Sequence, residues 1–375
     1  LIKKHLRLKH CIVIGATLKP VDDARHFHKI ALSLSQTNKY ELNIIGRAVK
    51  NIPQAKNITF YPLFGLKRSN LKRLLSPFTY LRKTWQIKPD LQIICSWELL
   101  PAAIICKFFR GGKLIYDIQE NYSKNVRFLS KDNWITKKLK SFIISFFQAI
   151  SWPFIDYFFL AEKAYETEFK LKLNSYKILE NKSLRINEKS DKSSKFNCLF
   201  TGTIGQAQGI WDVLSWAEKA SELNNDFQLT IIGHCPSETT FTELQKKAGG
   251  KSYINLQIET VPIDYKIILE NISKADIGLI AYPLNQANQD KFPSKLYEYL
   301  TAQLPILLII PNTKWEAIIE KYNAGISSRN YHTVEHQIQQ FKRNEFYHKT
   351  ISYDELLWES NEPKLLISVA SLLNS

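Results

Sequence analysis

Short apolar runs rich in β-branched and aromatic residues recur along the chain, with longer stretches of helical period between them. Six runs in the first half read as strands: CIVIG (11–15), ELNIIG (41–46), ITFYPL (58–63), LQIICS (91–96), KLIYD (113–117) and DYFFL (156–160). Asp23 to Thr37, Leu66 to Gln86 and Glu98 to Phe109 read as helices between them. Near-continuous apolar strands alternating with helices predict a parallel sheet covered on both faces. The alternation stops at 182–195, KSLRINEKSDKSSK, which has no apolar period and reads as a linker. It restarts with NCLFTG (197–202), QLTIIG (228–233), YINLQI (253–258), DIGLIA (276–281) and PILLII (305–310), each followed by a helical segment. Residues 350–375 form a last helical stretch outside both patterns.

The expectation is therefore two α/β domains, 1–181 and 196–349, joined by the 182–195 linker. Ligands of open parallel sheets bind beyond the carboxyl ends of the strands. Two such sheets facing a central cleft would put the chemistry in the strand-to-helix loops.

Composition narrows the class. The 375 residues are 45% hydrophobic and 23% charged, which excludes a disordered or collagen-like chain. Five dispersed cysteines without a C-x-x-C pair fit a reduced protein better than a disulfide- or zinc-stapled one. Cys11 to Ala16 is too short an apolar stretch for a signal peptide. The most apolar window, Phe142 to Leu160, is broken by Gln148, Pro153 and Asp156, against a membrane span. A cytoplasmic protein is expected, with peripheral contact to the inner leaflet of the cell membrane.

Charge divides the chain. Residues 1–190 carry 34 lysines and arginines against 14 acids, whereas 191–375 carry 17 against 21. A basic first half suits an anionic membrane surface or a phosphorylated acceptor. No base-stacking module accompanies it, so nucleic acid is not the expected partner. Lys137, Lys138 and Lys140 precede Phe142, Phe146, Phe147 and Trp152, the composition of an interfacial helix; a buried domain helix with a basic start has it too.

Two loops of the second half could carry chemistry. FTGTIGQAQGI (200–210) sets Gly202, Gly205 and Gly209 between a strand and a helix, where backbone N–H groups can approach an anion. YPLNQANQDKFPSKLYEYL (282–300) places Asp290 in a loop and Glu298 eight residues on, with Pro293 suited to a helix start. Carboxylates so placed can accept hydrogen bonds from vicinal hydroxyls of a sugar, and Lys295 with the helix N-terminus can meet a phosphate.

This second loop, with its PSKLYEY (293–299), resembles the Glu-x7-Glu element of the GT-B glycosyltransferases of family 4. FTGTIGQAQG is similar to that family's diphosphate loop, LIYDIQENY (114–122) to its acceptor-side segment, and KPVDDARHFHKIALSL (19–34) to its first loop and helix. The resemblance runs in order through the whole chain, including a C-terminal helix that returns to the N-domain. It implies a GT-B fold of two Rossmann-like domains and a retaining transfer of a sugar from a nucleotide-sugar donor to a glycan or lipid-linked acceptor, in surface polysaccharide or glycolipid assembly, with no bound metal or other cofactor. It implies that Glu298 binds the nucleotide ribose and Asp290 the donor sugar. Gly202, Thr203, Gln208, Gly209, Ser294, Lys295 and Leu296 would complete the donor site. Glu120 would be the polar catalytic participant, with Asp22, Asp23, Arg25, Asp117 and Gln119 on the acceptor side.

The chain departs from the family where Thr203 and Gln208 replace an arginine and a lysine on the diphosphate, removing two charge-assisted contacts of about 1.5–3 kcal/mol each. Gln119 replaces a titratable histidine. Two other readings remain open: a nucleotide-sugar epimerase on the same fold, and a non-catalytic partner in a glycan-assembly complex. Each residue also has a plain structural role open to it, Glu298 as a solvated helix carboxylate and Asp117 and Glu120 as caps.

Overall fold

Each strand-like run named above coincides with or overlaps a strand of one of two wholly parallel sheets. The computed structural model describes the chain except residues 1–8, 66–72, 74, 131, 173, 186–193, 287–288, 290, 344, 349–350 and 375. It falls into two units, residues 1–181 with 361–375, and residues 182–360.

Unit 1 has a seven-stranded sheet in the order β3-β2-β1-β4-β5-β6-β7. Its strands are β1 (His10–Pro20), β2 (Tyr40–Arg47), β3 (Ile58–Phe64), β4 (Leu91–Ile94), β5 (Lys113–Ile118), β6 (Tyr157–Leu160) and β7 (Tyr176–Ile178). A π-helix, Ala24–Ala31, runs into α1 (Leu32–Gln36) after β1. The other helices are α2 (Ser76–Ile87), α3 (Leu100–Arg110), α4 (Tyr122–Leu129), α5 (Trp134–Ser151) and α6 (Ala164–Glu168). Strand order reverses between β1 and β4. The crevice at such a switch point is where parallel sheets hold ligands.

Unit 2 repeats the plan with six strands, β10-β9-β8-β11-β12-β13. These are β8 (Phe196–Thr203), β9 (Phe227–His234), β10 (Ile254–Glu259), β11 (Ile277–Ile280), β12 (Ile306–Leu308) and β13 (Gly325–Ser327). The helices are α7 (Ile210–Leu223), α8 (Glu238–Ala248), α9 (Tyr265–Lys274), α10 (Ser294–Thr301), α11 (Thr313–Lys321) and α12 (Val334–Arg343). Successive strand residues feed opposite faces: Phe200, Leu229 and Ile231 belong to one core cluster, Leu199, Ile232 and Ile280 to the other. Here the switch point lies between β8 and β11, so the turn that ends at Gly209 meets the chain at Ala281, where it leaves β11.

The ends of unit 2 differ from a plain linker. Ser183 donates its N–H to Leu356 O (3.2 Å), and Trp358 donates to Ser183 O (2.7 Å). Residues 182–185 are thus tied to the segment around 357. The rest of the expected linker is largely outside the described residues. The chain re-enters unit 1 at Asn361 and ends in α13 (Glu362–Asn374), so residues 351–360 pack with unit 2 and not with that helix.

Candidate functional site

In unit 2, β8 ends at Thr203 and the chain turns through Gly205 and a 3-10 turn, Gln206–Gln208, into α7. Gly209 sits at φ +79°, and a Cβ there would lie 1.7 Å from Ala281 O. Only glycine fits, because the loop after β8 is pressed against the end of β11. Thr203 is exposed and Gln208 half-buried. Both present uncharged polar groups at the two positions where the resemblance would set an arginine and a lysine.

Pro293 caps α10 from an extended conformation, and Ser294 and Lys295 open the helix, where backbone N–H groups have no intrahelical acceptor. Lys295 then turns inward. It is 3% exposed, its ammonium lies 4.0 Å from the Phe200 ring centroid and 5.2 Å from that of Tyr282, and its Cε is 3.9 Å from where a Gly202 Cβ would stand. Its Nζ has no hydrogen-bond acceptor among the described residues. Burial pushes it down to about 7, a shift only partly opposed by Glu298.

Glu298 stands one turn after Lys295, on the same helical face. It is buried, not solvated, and its Oε1 accepts from the Tyr265 hydroxyl at 3.2 Å. Leu296 is placed differently from a ligand-lining residue. Its side chain is fully buried in the unit 2 core, and its N–H donates to Pro293 O at 2.9 Å. Helical geometry sends 295 and 298 toward the glycine turn and 296 into the sheet. Asp290 lies outside the described residues.

In unit 1 the switch point holds a buried polar network. Arg25, on the π-helix, donates from Nε to Asp117 Oδ2 (2.9 Å) and from Nη2 to Asp117 Oδ1 (2.7 Å). Its Nη1 donates to Leu179 O at 2.7 Å. Asp117, at the end of β5, is fully buried and also accepts from Gln119 Nε2 (2.7 Å). Gln119 Nε2 further donates to His26 Nε2 (2.6 Å), which places the His26 proton on Nδ1, toward Asp23. Burial pushes His26 below its ordinary value, against the pull of Asp23 and Asp117. Asp23 caps the helix by accepting from the N–H groups of Arg25 (2.9 Å) and His26 (3.2 Å). Burial acts to raise Asp23, but His26, Lys19 and those N–H groups together hold it at about 2.

Asp23, Arg25, Asp117 and Gln119 thus come together, but Asp117 is an ion-pair partner with both oxygens engaged, not a cap. Glu120 lies at the rim, with Oε2 accepting from Asn125 Nδ2 (3.0 Å) and Oε1 3.9 Å from Lys19 Nζ. Asp22 is half-buried in the turn before the helix. The sequence reading missed Tyr265, Lys19 and Leu179 O as members of these sites. A tyrosine opening α9 and a backbone carbonyl carry no spacing signal.

Among the described residues, His26, Cys95 and Asp117 offer three donor atoms within 4.8 Å of one another. They do not suit a cation: Arg25 already occupies both Asp117 oxygens, and burial with Asp117 nearby pushes the Cys95 thiol well up. In the same unit, α4 and α5 bound a cavity of about 460 Å³ whose lining includes Asn121, Ser145, Gln148, Trp152 and Glu168.

No family model and no curated protein matches the chain. Solved structures do. Sucrose-phosphate synthase from Thermosynechococcus elongatus is 10% identical over 98% of this chain and 100% of that one, with a TM-score of 0.68. HepE of Anabaena, in complex with UDP-glucose, is 10% identical over 96% of this chain and 100% of its own, with a TM-score of 0.63. The catalytic domain of starch synthase IV from Arabidopsis thaliana, bound to ADP and acarbose, is 10% identical over 98% and 100%, with a TM-score of 0.60. The fold is GT-B, two Rossmann-like α/β domains with parallel sheets, as the resemblance in the sequence implies.

Proposed function

We propose that the protein is a glycosyltransferase that takes a nucleotide-sugar donor in unit 2. The observation that carries this reading is the buried Lys295 ammonium, without a hydrogen-bond acceptor among the described residues, beside the Gly202 turn at the switch point. A buried amine that burial neutralises gains most from an anion brought to it. The diphosphate of a nucleotide sugar supplies one, at the place where parallel sheets bind phosphates. Lys295 then takes over the charge missing at Thr203 and Gln208. Glu298 receives the ribose hydroxyls, with Tyr265 holding its other side, and Asp290 is assigned to the donor sugar.

Unit 1 takes the acceptor. Its cavity sets amides, hydroxyls and a carboxylate beside the Trp152 ring, groups that suit a saccharide. A glycan or lipid-linked acceptor is the class we assign, with Glu120 at the rim as the polar group free of the Asp117 network. Transfer is read as retaining, hexosyl in type, metal-independent and part of surface polysaccharide or glycolipid assembly, by the family resemblance. That UDP and UDP-glucose occupy solved HepE structures supports the donor class.

A thermal-shift titration with UDP, GDP and their sugar conjugates tests the reading, alongside Glu298→Ala. A ligand at about 100 times its dissociation constant stabilises the folded state by about 2.7 kcal/mol. A shift with one base, lost in the variant, is expected. No shift with any nucleotide overturns the reading in favour of a non-catalytic partner. Turnover of donor alone, without acceptor, favours the epimerase.

A further inference from the structure

The surface of unit 1 formed by α2, α3 and α5 is apolar and basic at once. Helix α5 has 18 residues yet buries only Ile144, Gln148 and Ser151. Trp134 and Phe142 are each 66% exposed on it, and Phe146 50%. Phe142 and Phe146 stack at 6.1 Å between centroids. The apolar surface continues onto α3, where Phe108 is 79% exposed and touches Phe109, itself 6.2 Å from Trp85 of α2. So large an exposed apolar area is not left facing water without a reason.

Charge decides what covers it. The three helices together carry Arg82, Lys83, Lys107, Arg110, Lys137, Lys138 and Lys140, and neither an aspartate nor a glutamate. Cations sit among the aromatics: Arg110 lies over the Trp85 ring at 4.2 Å and Lys138 over Trp134 at 4.8 Å. Lys107 and Lys140 meet acids from neighbouring loops, Asp156 and Asp132, each at 2.7 Å. A second copy of this chain seated here would oppose like charge to like charge across a twofold axis. No described helix is long and apolar enough to cross a membrane. An apolar face ringed by cations on a helix that does not span is the pattern of one lying in the bilayer interface.

We propose that the α2–α3–α5 face docks unit 1 on an anionic lipid bilayer, with α5 lying in the interfacial plane. This deepens the assignment of a lipid-linked acceptor but does not depend on it. Ser145 and Ala149 of α5 line the unit 1 cavity and stand one turn from Phe142 and Phe146, so docking brings that cavity to the headgroup layer.

Co-sedimentation of the full chain with vesicles tests this. Binding is expected to vesicles rich in phosphatidylglycerol and not to pure phosphatidylcholine, and should weaken on raising salt. Phe142→Asp with Phe146→Asp should weaken it about tenfold or more, since both rings that would enter the bilayer are lost. Should that pair lower the melting temperature, Lys137→Glu with Lys138→Glu is the second test, and should lose binding together with its salt dependence. No binding to anionic vesicles, equal binding to phosphatidylcholine, or unchanged binding by both variants overturns the proposal. So does a dimer in solution that the phenylalanine variant dissolves while vesicles are not bound. Vesicle binding without a nucleotide response leaves the docking face standing and overturns the donor site; the reverse result overturns only the docking face.

Discussion

The two switch points have the same topology and opposite electrostatics. In unit 1 the buried charges are mutually satisfied: Arg25 donates three times, Asp117 accepts from two side chains, and Asp23 caps its own helix. In unit 2 the buried ammonium of Lys295 rests over aromatic rings with no acceptor for its protons among the described residues. A closed network costs little to keep folded and holds its loop in one geometry. An open one is destabilising until an anion arrives. On the proposed reading, unit 1 would use its charges to shape a site and unit 2 would use them to bind.

The largest effect should come from breaking the closed network. Arg25→Leu leaves the Asp117 carboxylate buried without its countercharge and should cost about 3–5 kcal/mol in urea unfolding. The double variant with Asp117→Leu should recover most of that loss. Lys295→Met should move the other way, stabilising the protein by on the order of 2–5 kcal/mol at pH 7 and below. The sign follows from burial: between about pH 7 and the ordinary lysine value of 10.5 the unfolded chain holds a proton that folded Lys295 has lost. Wild-type stability therefore rises with pH across that window, and the advantage of the methionine variant shrinks. A loss of stability in Lys295→Met would erase the contrast between the sites.

Ligand affinity sharpens the comparison further. Nucleoside diphosphate binding should fall about tenfold between pH 6 and pH 8, as Lys295 loses its charge, and isothermal titration should show proton uptake on binding. Lys295→Met should bind weakly with no such pH dependence. Glu120→Gln, at the half-exposed rim of unit 1, should change unfolding stability by no more than about 0.5 kcal/mol.

The apolar runs locate the long strands because parallel strands buried on both faces must be apolar throughout. Strands β7 and β13 escape that reading: each is three residues at a sheet edge, with Lys177 inside one and Gly325 and Ser327 in the other. The glycine turn and the Lys295–Glu298 spacing are legible because both are local. Arg25 and Asp117 are each visible as candidates, but their pairing joins residues 92 apart, and only the sheet order brings β5 beside the loop after β1. Leu296 shows the converse: a motif names consecutive residues, whereas a helix keeps those three or four apart on one face and turns the ones between them away.

The return of the chain to unit 1 at Asn361 has a consequence for synthesis. Helix α13 supplies Leu365 and Val369 to the interior of unit 1, and Glu362 accepts from the Ser33 hydroxyl at 2.7 Å. The ribosome makes all 179 residues of unit 2 before this helix exists. At roughly 5–20 residues per second that is a wait of roughly ten to forty seconds. During that interval the nascent first unit stands with its α13 seat uncovered, while the second can complete itself, so the half of the chain translated first is the half that finishes folding last.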